Sequence, residues 1–192
     1  VDTTHKVIVA QFVSLDGVTE DPDGSGGTRH GGWAFRFGPE AVAGDKFRMG
    51  PVLDTGVKVV GRTTWELFSR LFPTRDDDFS RRLNAMEKLV VSTSLTDVSA
   101  WNNSTLLQGD LATAITERVR HQDVMVTGSG SVVDQLVARD LVDEYRLLVF
   151  PVVLGKGHRL FDGAVAPLDL DLVSSEDAGA GVLRHVYARR LR

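Results

Sequence analysis

The chain has 192 residues, 42% hydrophobic and 25% charged, with a net charge of −4 and a pI of about 5.7. This is an ordinary make-up for a soluble globular chain of one domain, residues 1–192, and its acidic balance argues against a nucleic-acid partner. There is no cysteine, which excludes disulfides, thiolate nucleophiles and cysteine–metal sites and fits a cytoplasmic protein; no apolar run approaches a membrane span, and residues 1–6 lack signal-peptide character.

In chain order, residues 7–15 are rich in β-branched and aromatic types and predict a central strand, ended by Asp16-Gly17. Residues 19–32 are polar and glycine-rich, with Asp21-Pro22-Asp23-Gly24 as a turn. A loop this long in a compact domain is more often a functional lid than a linker. Apolar positions Val42, Phe47, Met49 and Leu53 predict a helix over 40–53, with Pro39 suited to its first turn and Gly50-Pro51 set to kink or end it. Residues 56–60 predict a second buried strand, Gly61-Arg62-Thr63-Thr64 its turn, and 65–72 a helix that Pro73 stops.

Asp76-Asp77-Asp78 reads as a solvated loop or a helix start. Residues 87–91 predict a third strand, followed by Ser92-Thr93-Ser94, and 105–107 a short fourth. Asp110 is placed to cap a helix over 111–120. The apolar run 124–126 breaks into Gly128-Ser129-Gly130-Ser131, after which Val132, Val133, Leu136 and Val137 repeat at helical spacing. A strand over 144–150 follows, and 168–173 and 183–191 read as closing strands. With no helix between those two, an antiparallel hairpin at the sheet edge is the simplest topology. The fold class that results is α/β: a mixed, mostly parallel central sheet flanked by helices, with antiparallel strands at its C-terminal edge.

Two junctions share one chemical logic. At Gly61-Arg62-Thr63-Thr64 and at Gly128-Ser129-Gly130-Ser131, a buried strand hands over to a helix through glycine and hydroxyl residues. Glycine lets a backbone approach a ligand closely, and a helix start offers unpaired N–H groups and a positive dipole end to a phosphate. The plainer alternative is an ordinary strand-to-helix turn in which Thr63 or Thr64 caps one helix and Ser131 the other. Arg62 adds a charged fork matched to phosphate oxygens. Ser92, Thr93 and Ser94 end the third strand with hydroxyls, where an NAD-binding protein usually places a carboxylate on the ribose; this favours the extra phosphate of NADPH.

These residues resemble the dihydrofolate reductase-like superfamily, and within it the C-terminal reductase domain of the bifunctional riboflavin-biosynthesis deaminase-reductase and its stand-alone relatives. The matching segments are 9–17, 59–66, 89–92, 126–131 and 141–155. The last, ending Pro151-Val152-Val153-Leu154-Gly155, is the most specific, and Gly61-Arg62-Thr63-Thr64-Trp65-Glu66 resembles the cofactor-phosphate helix of dihydrofolate reductases. The resemblance implies NADPH across the carboxyl ends of the strands, with Gly61 to Thr64 and Gly128 to Ser131 at the pyrophosphate, Ser92 and Thr93 at the 2′-phosphate, and Asp16-Gly17 beside nicotinamide and substrate. It also implies a homodimer. The riboflavin reductases usually carry a glutamate and two glycines where this chain has Thr127-Gly128-Ser129, and an alanine–aspartate–aspartate–proline signature where it has Gly61-Arg62-Thr63-Thr64-Trp65.

Hydride transfer needs a proton source in a low-dielectric pocket, where a carboxyl pKa can rise. Asp16, at the end of a central strand, and Asp45, which by ungapped spacing falls where dihydrofolate reductases carry an acidic residue, are the candidates; a turn aspartate and a solvated helix carboxylate are the alternatives. Trp33 and Phe35, with Phe37, follow the glycine-rich loop and either line a pocket for a flat heterocycle or anchor the lid. The five histidines show no metal-ligand spacing, so no metal is expected, and Lys156, His158 and Arg159 read as a solvated loop, with the binding of an anionic substrate tail as the alternative. The reading is an NADPH-dependent reductase of a small pterin-, folate- or pyrimidine-like molecule, with an NADP-binding sensor or interaction module without turnover as the alternative.

Overall fold

β-Branched runs, buried on both sides, build the centre of the sheet. In the computed structural model, which describes residues 5–190, the strands are β1 (Val7–Ser14), β2 (Val57–Gly61), β3 (Glu87–Val91), β4 (Ser104–Leu106), β5 (Val124–Val126), β6 (Glu144–Phe150), β7 (Leu170–Gly179) and β8 (Val182–Arg189). They form one sheet in the order β4-β3-β2-β5-β1-β6-β8-β7. Every pairing from β4 to β6 is parallel; β8 is antiparallel to both β6 and β7. The helices are α1 (Val52–Thr55), α2 (Arg62–Leu71), α3 (Asp78–Ala85), α4 (Leu111–Arg118) and α5 (Gly130–Ala138).

Alternation along the strands sorts side chains onto two faces. Val57, Val59, Val124 and Val126 meet Leu111 and Ile115 of α4 and Val132 and Leu136 of α5. Val60, Val90 and Met125 point the other way, to Leu53, Trp65, Leu83 and Trp101. A third cluster gathers Trp33, Ala41, Leu148 and Phe150 beneath the loop that follows β1. The sheet is therefore flanked by helices, with its antiparallel hairpin at the C-terminal edge, as the residue pattern implied.

Residues 40–53 do not form the helix that their apolar spacing suggests. A 3-10 turn (Pro39–Ala41) is followed by turns, and only α1, after Pro51, is helical. Gly44, Arg48 and Gly50 take φ of 63°, 48° and 54°, outside the right-handed helical region. Tertiary contacts hold the segment instead: Phe47 stacks on Phe12 at 5.5 Å, Arg48 pairs with Glu176 at 2.9 Å, and Arg146 donates to the Arg48 carbonyl at 3.2 Å. Helix α2 starts three residues earlier than its apolar pattern suggests, so Arg62, Thr63 and Thr64 are its first turn. The aspartate run resolves as a helix start, with the Asp77 carboxylate accepting the Ser80 N–H at 3.0 Å. β7 continues to Gly179 through two register shifts, a usual feature of edge strands; Leu191 lies outside the described residues.

The loop 19–32 is knotted around one side chain. The Asp21 carboxylate accepts N–H bonds from Gly26 at 2.7 Å and Thr28 at 2.9 Å. Trp33 roots the loop: it is fully buried, its indole donates to the Glu20 carbonyl at 2.9 Å, and its ring meets Phe150 edge-on at 5.4 Å.

Candidate functional site

Register brings three strand ends to one level. Val59 pairs with Val126, so Gly61 and Gly128 come side by side two residues later, and the Gly61 N–H donates to the Gly128 carbonyl at 3.0 Å. Gly61 also pairs with Val91, which sets Ser92 beside Arg62. From adjacent parallel strands, α2 and α5 then depart to opposite faces: Trp65 joins the cluster with Leu83 and Trp101, whereas Val132 and Leu136 join the other. Such a divergence opens a crevice at the carboxyl ends of a parallel sheet.

The crevice has a volume of about 330 Å³ and brings together Arg62, Thr63, Ser92, Thr93, Ser94, Ser129 and Ser131. Val91, Leu107, Gly109, Val132 and Gln135 complete its wall, and none of its lining residues is a carboxylate. Gly61 and Gly128 lie behind this lining and are buried. Their contribution is close approach: a Cβ on Gly61 would come within 1.9 Å of the Ser129 Oγ and 2.9 Å of its backbone nitrogen. Gly128 has a φ of 120°, a conformation that favours glycine, and its peptide bond to Ser129 is cis. Thr64 sits beside Gly128, with its Oγ1 2.8 Å from where a Cβ there would stand.

The helix starts differ in a way that matters for anions. α3 and α4 are capped by Asp77 and Asp110, each accepting a backbone N–H of the first turn. At α2 and α5 the cap positions are Gly61 and Ser129, and neither makes a side-chain capping bond. Thr63, Thr64 and Ser131 therefore do not act as caps. Both helices present first-turn N–H groups and the positive dipole end to the crevice. Arg62 is exposed and holds Glu66 loosely, at 3.3 Å, along its own helix. The Ser92 hydroxyl accepts from Ser94 N–H at 3.1 Å and Leu95 N–H at 2.9 Å, which fixes the 92–95 turn. Gln135 escaped the sequence reading. The available signal was its spacing, one helical turn beyond Ser131 on the same face.

The two carboxylate candidates do not join this crevice. Asp16 accepts from the Ser14 hydroxyl at 2.7 Å and from the backbone N–H groups of Leu154 and Gly155 at 3.1 and 2.8 Å. The Ser14 bond first, with the two amides helping against the cost of burial, holds its carboxyl down at about 2. This corrects the expectation of a carboxyl raised toward neutrality: Asp16 staples the end of β1 to the loop after β6. Asp45 accepts from Met49 N–H at 2.8 Å and Gly50 N–H at 3.2 Å, so it caps a turn rather than standing on a helix. The Gly50 carbonyl accepts in turn from Arg82 of α3, which ends just before β3 begins, so this turn lies toward the amino ends of the strands. Trp33 has no face open to a ligand, which corrects its assignment to a substrate wall, while Phe35 is half exposed and outside the crevice lining.

A cleft of about 390 Å³ lies elsewhere, between the end of α5 and Arg189-Arg190. Its guanidinium groups are already paired, Arg189 with Asp140 and Asp143 and Arg190 with Asp171. No helix start opens into it, so it lacks the features that hold a phosphate. Among the described residues no cluster of histidine and carboxylate side chains could hold a metal ion, and no helix is long and apolar enough to cross a membrane.

Solved structures share this fold. Among solved structures, a putative riboflavin biosynthesis protein from Shewanella has a TM-score of 0.73 at 22% identity, covering 97% of this chain and 99% of its own. Acinetobacter baumannii RibD has a TM-score of 0.64 at 15% identity, over 99% of this chain and 59% of RibD. The uncharacterised Bacillus subtilis protein YwjB is 27% identical over 96% of this chain and 98% of its own length. Residues 5–184 match the RibD C-terminal domain family, and the chain belongs to it.

Proposed function

We propose that this chain is an NADPH-dependent reductase that passes a hydride to a small heterocyclic molecule of pterin, folate or pyrimidine type. The observation that carries the reading is the pair of uncapped helix starts converging on one carboxylate-free crevice beside Arg62. The fit to a dinucleotide rests on the same features: free N–H groups for a diphosphate, close-packed glycines, and a cation among hydroxyls for an added phosphate. Bound nicotinamide supplies the hydride. The chain's own residues bind and orient: Thr63, Ser129, Gly130 and Ser131 at the diphosphate, Arg62, Ser92, Thr93 and Ser94 at the 2′-phosphate, and Val91, Leu107 and Val132 as the apolar wall. Fluorescence titration of the purified protein with NADPH and NADH tests this. Arg62→Ala should weaken NADPH more than NADH, by about 1.5–3 kcal/mol for a charge-assisted contact. Equal losses would remove Arg62 from the 2′-phosphate, and a wild-type protein that binds neither nucleotide would end the reading.

A second reading, an NADP-binding sensor or interaction module without turnover, is favoured by the two carboxylates. Asp16 is held ionised by the Ser14 hydroxyl first and then by two backbone amides, so it offers no proton at neutral pH, and Asp45 caps a turn outside the crevice lining. It predicts nucleotide binding with no substrate-dependent oxidation of NADPH across pterins, folates and ribosylaminopyrimidines. We also propose that the protein is a homodimer, joined through the exposed apolar side chains of its edge hairpin.

A further inference from the structure

The geometry points to His158 as a positioning residue for the diphosphate turn, an inference that rests on reading the crevice as a dinucleotide site. In sequence, Lys156-Gly157-His158-Arg159 looks like a solvated cationic loop, yet the segment is fastened on two sides. On one side, the imidazole Nε2 lies 2.8 Å from the Oδ2 of Asp134, one turn into α5. The ring rests against Gly130, the first residue of that helix: a Cβ there would come within 2.9 Å of both Cε1 and Nδ1. Gly163 closes the wrap, because its own Cβ would stand 2.6 Å from the Asp134 Cα.

On the other side, the His158 carbonyl accepts the Thr19 N–H at 2.9 Å, and Arg159 donates through Nε to the Asp16 carbonyl at 3.1 Å. Gly157 packs on the same stretch, 2.7 Å from Val18 Cγ1 measured from where its Cβ would be. His158 thus ties the first turn of α5 to the chain leaving β1. α5 lacks a side-chain cap, so its first turn takes its position from what packs upon it. The His158–Asp134 bond supplies that restraint in either protonation state, since Nε2 carries a proton in the tautomer that donates to Asp134 and in the imidazolium alike. Setting the Gly130 and Ser131 N–H groups before a ligand arrives lowers the ordering cost of binding.

The restraint acts on α5, whereas Arg62 and Ser92 to Ser94 stand on the β2–β3 side. Ligands that use the whole diphosphate should therefore depend on His158, and ligands confined to the adenosine 2′-phosphate half should not. Calorimetric titration of the full chain with NADPH and with adenosine 2′-monophosphate, which lacks the diphosphate altogether, separates the two. His158→Ala should weaken NADPH at least about tenfold while leaving the monophosphate within about twofold, and His158→Gln, whose amide can still donate to Asp134, should recover most of the loss. Should His158→Ala not fold, His158→Asn, too short to reach Asp134, takes its place against His158→Gln. Unchanged NADPH affinity, or an equal loss for both ligands, would overturn the role. If the wild-type protein binds neither ligand, the dinucleotide reading itself fails and this inference goes with it.

Discussion

At Gly61 the missing side chain is a packing requirement before it is a ligand requirement. Its N–H is already given to the Gly128 carbonyl, so it has none to offer a phosphate. What it provides is room for Ser129, whose backbone nitrogen and hydroxyl occupy the space of a Cβ. Gly61→Ala should push the two turns apart and cost about 1–3 kcal/mol, as overpacking does, and should also weaken NADPH binding. Chemical denaturation checks the first outcome; a variant as stable as wild type would mean that the turns separate freely. Asp16 teaches a similar lesson. The Asp-Gly pair at the end of β1 and its neighbour Ser14, whose hydroxyl does most to hold the carboxyl ionised, were visible in sequence, but the backbone partners Leu154 and Gly155 lie some 140 residues away along the chain, and they make the carboxylate a staple between segments.

Within elements, β2 and β3 carry a pair of side chains that composition alone would place in water. Lys58 and Lys88 are register partners and both are buried. Lys88 donates to the carbonyls of Asn84, Met86 and Asn102 at 2.8, 2.7 and 2.9 Å and lies 4.5 Å from the centre of the Trp101 ring. Lys58 lies 5.4 Å from the centre of the Phe68 ring. Burial, and then the neighbouring Lys88 charge, bring the Lys58 amine down to about 7; burial brings Lys88 to about 8. Between these values and the ordinary 10.5 the unfolded chain binds more protons than the folded one, so stability rises with pH across that window. Denaturant midpoints should increase from pH 7 to pH 9.5, and Lys58→Met should flatten the rise and stabilise the protein at the lower pH. A midpoint that falls with pH, or a slope that the substitution leaves unchanged, would show that Lys58 stays charged in the fold. The valines around Lys58 marked a buried strand correctly, but the covering of the lysine by Phe68 of α2 was not written in that run.

For the whole molecule, topology makes the crevice: β2 and β5 are neighbours although 62 residues of other structure separate the end of one from the start of the next. The opposite edge ends on β7 and β8, where Leu172, Val173 and Leu183 are 57%, 61% and 41% exposed. Exposed apolar side chains on an edge hairpin invite a partner, and a second copy of this chain is the proposed one. Sedimentation should find a dimer, and Val173→Glu should shift it toward monomer without unfolding it; a monomeric wild type would remove the proposal.

What the sequence by itself determined was local. Buried β-branched runs marked most strands to within a residue or two, glycine and hydroxyl pairs marked the two helix starts, and the segments around 61–66 and 141–155 pointed to the family. These signals survive because strand period, turn chemistry and helix starts are set by neighbours along the chain. Tertiary structure alone decided that residues 40–53 lie as an irregular strap, that Trp33 is an anchor, that Asp16 holds a loop and that His158 reaches Asp134. Each of those outcomes depends on a contact with a distant segment, and such contacts exist only once the sheet has set its strand order and register.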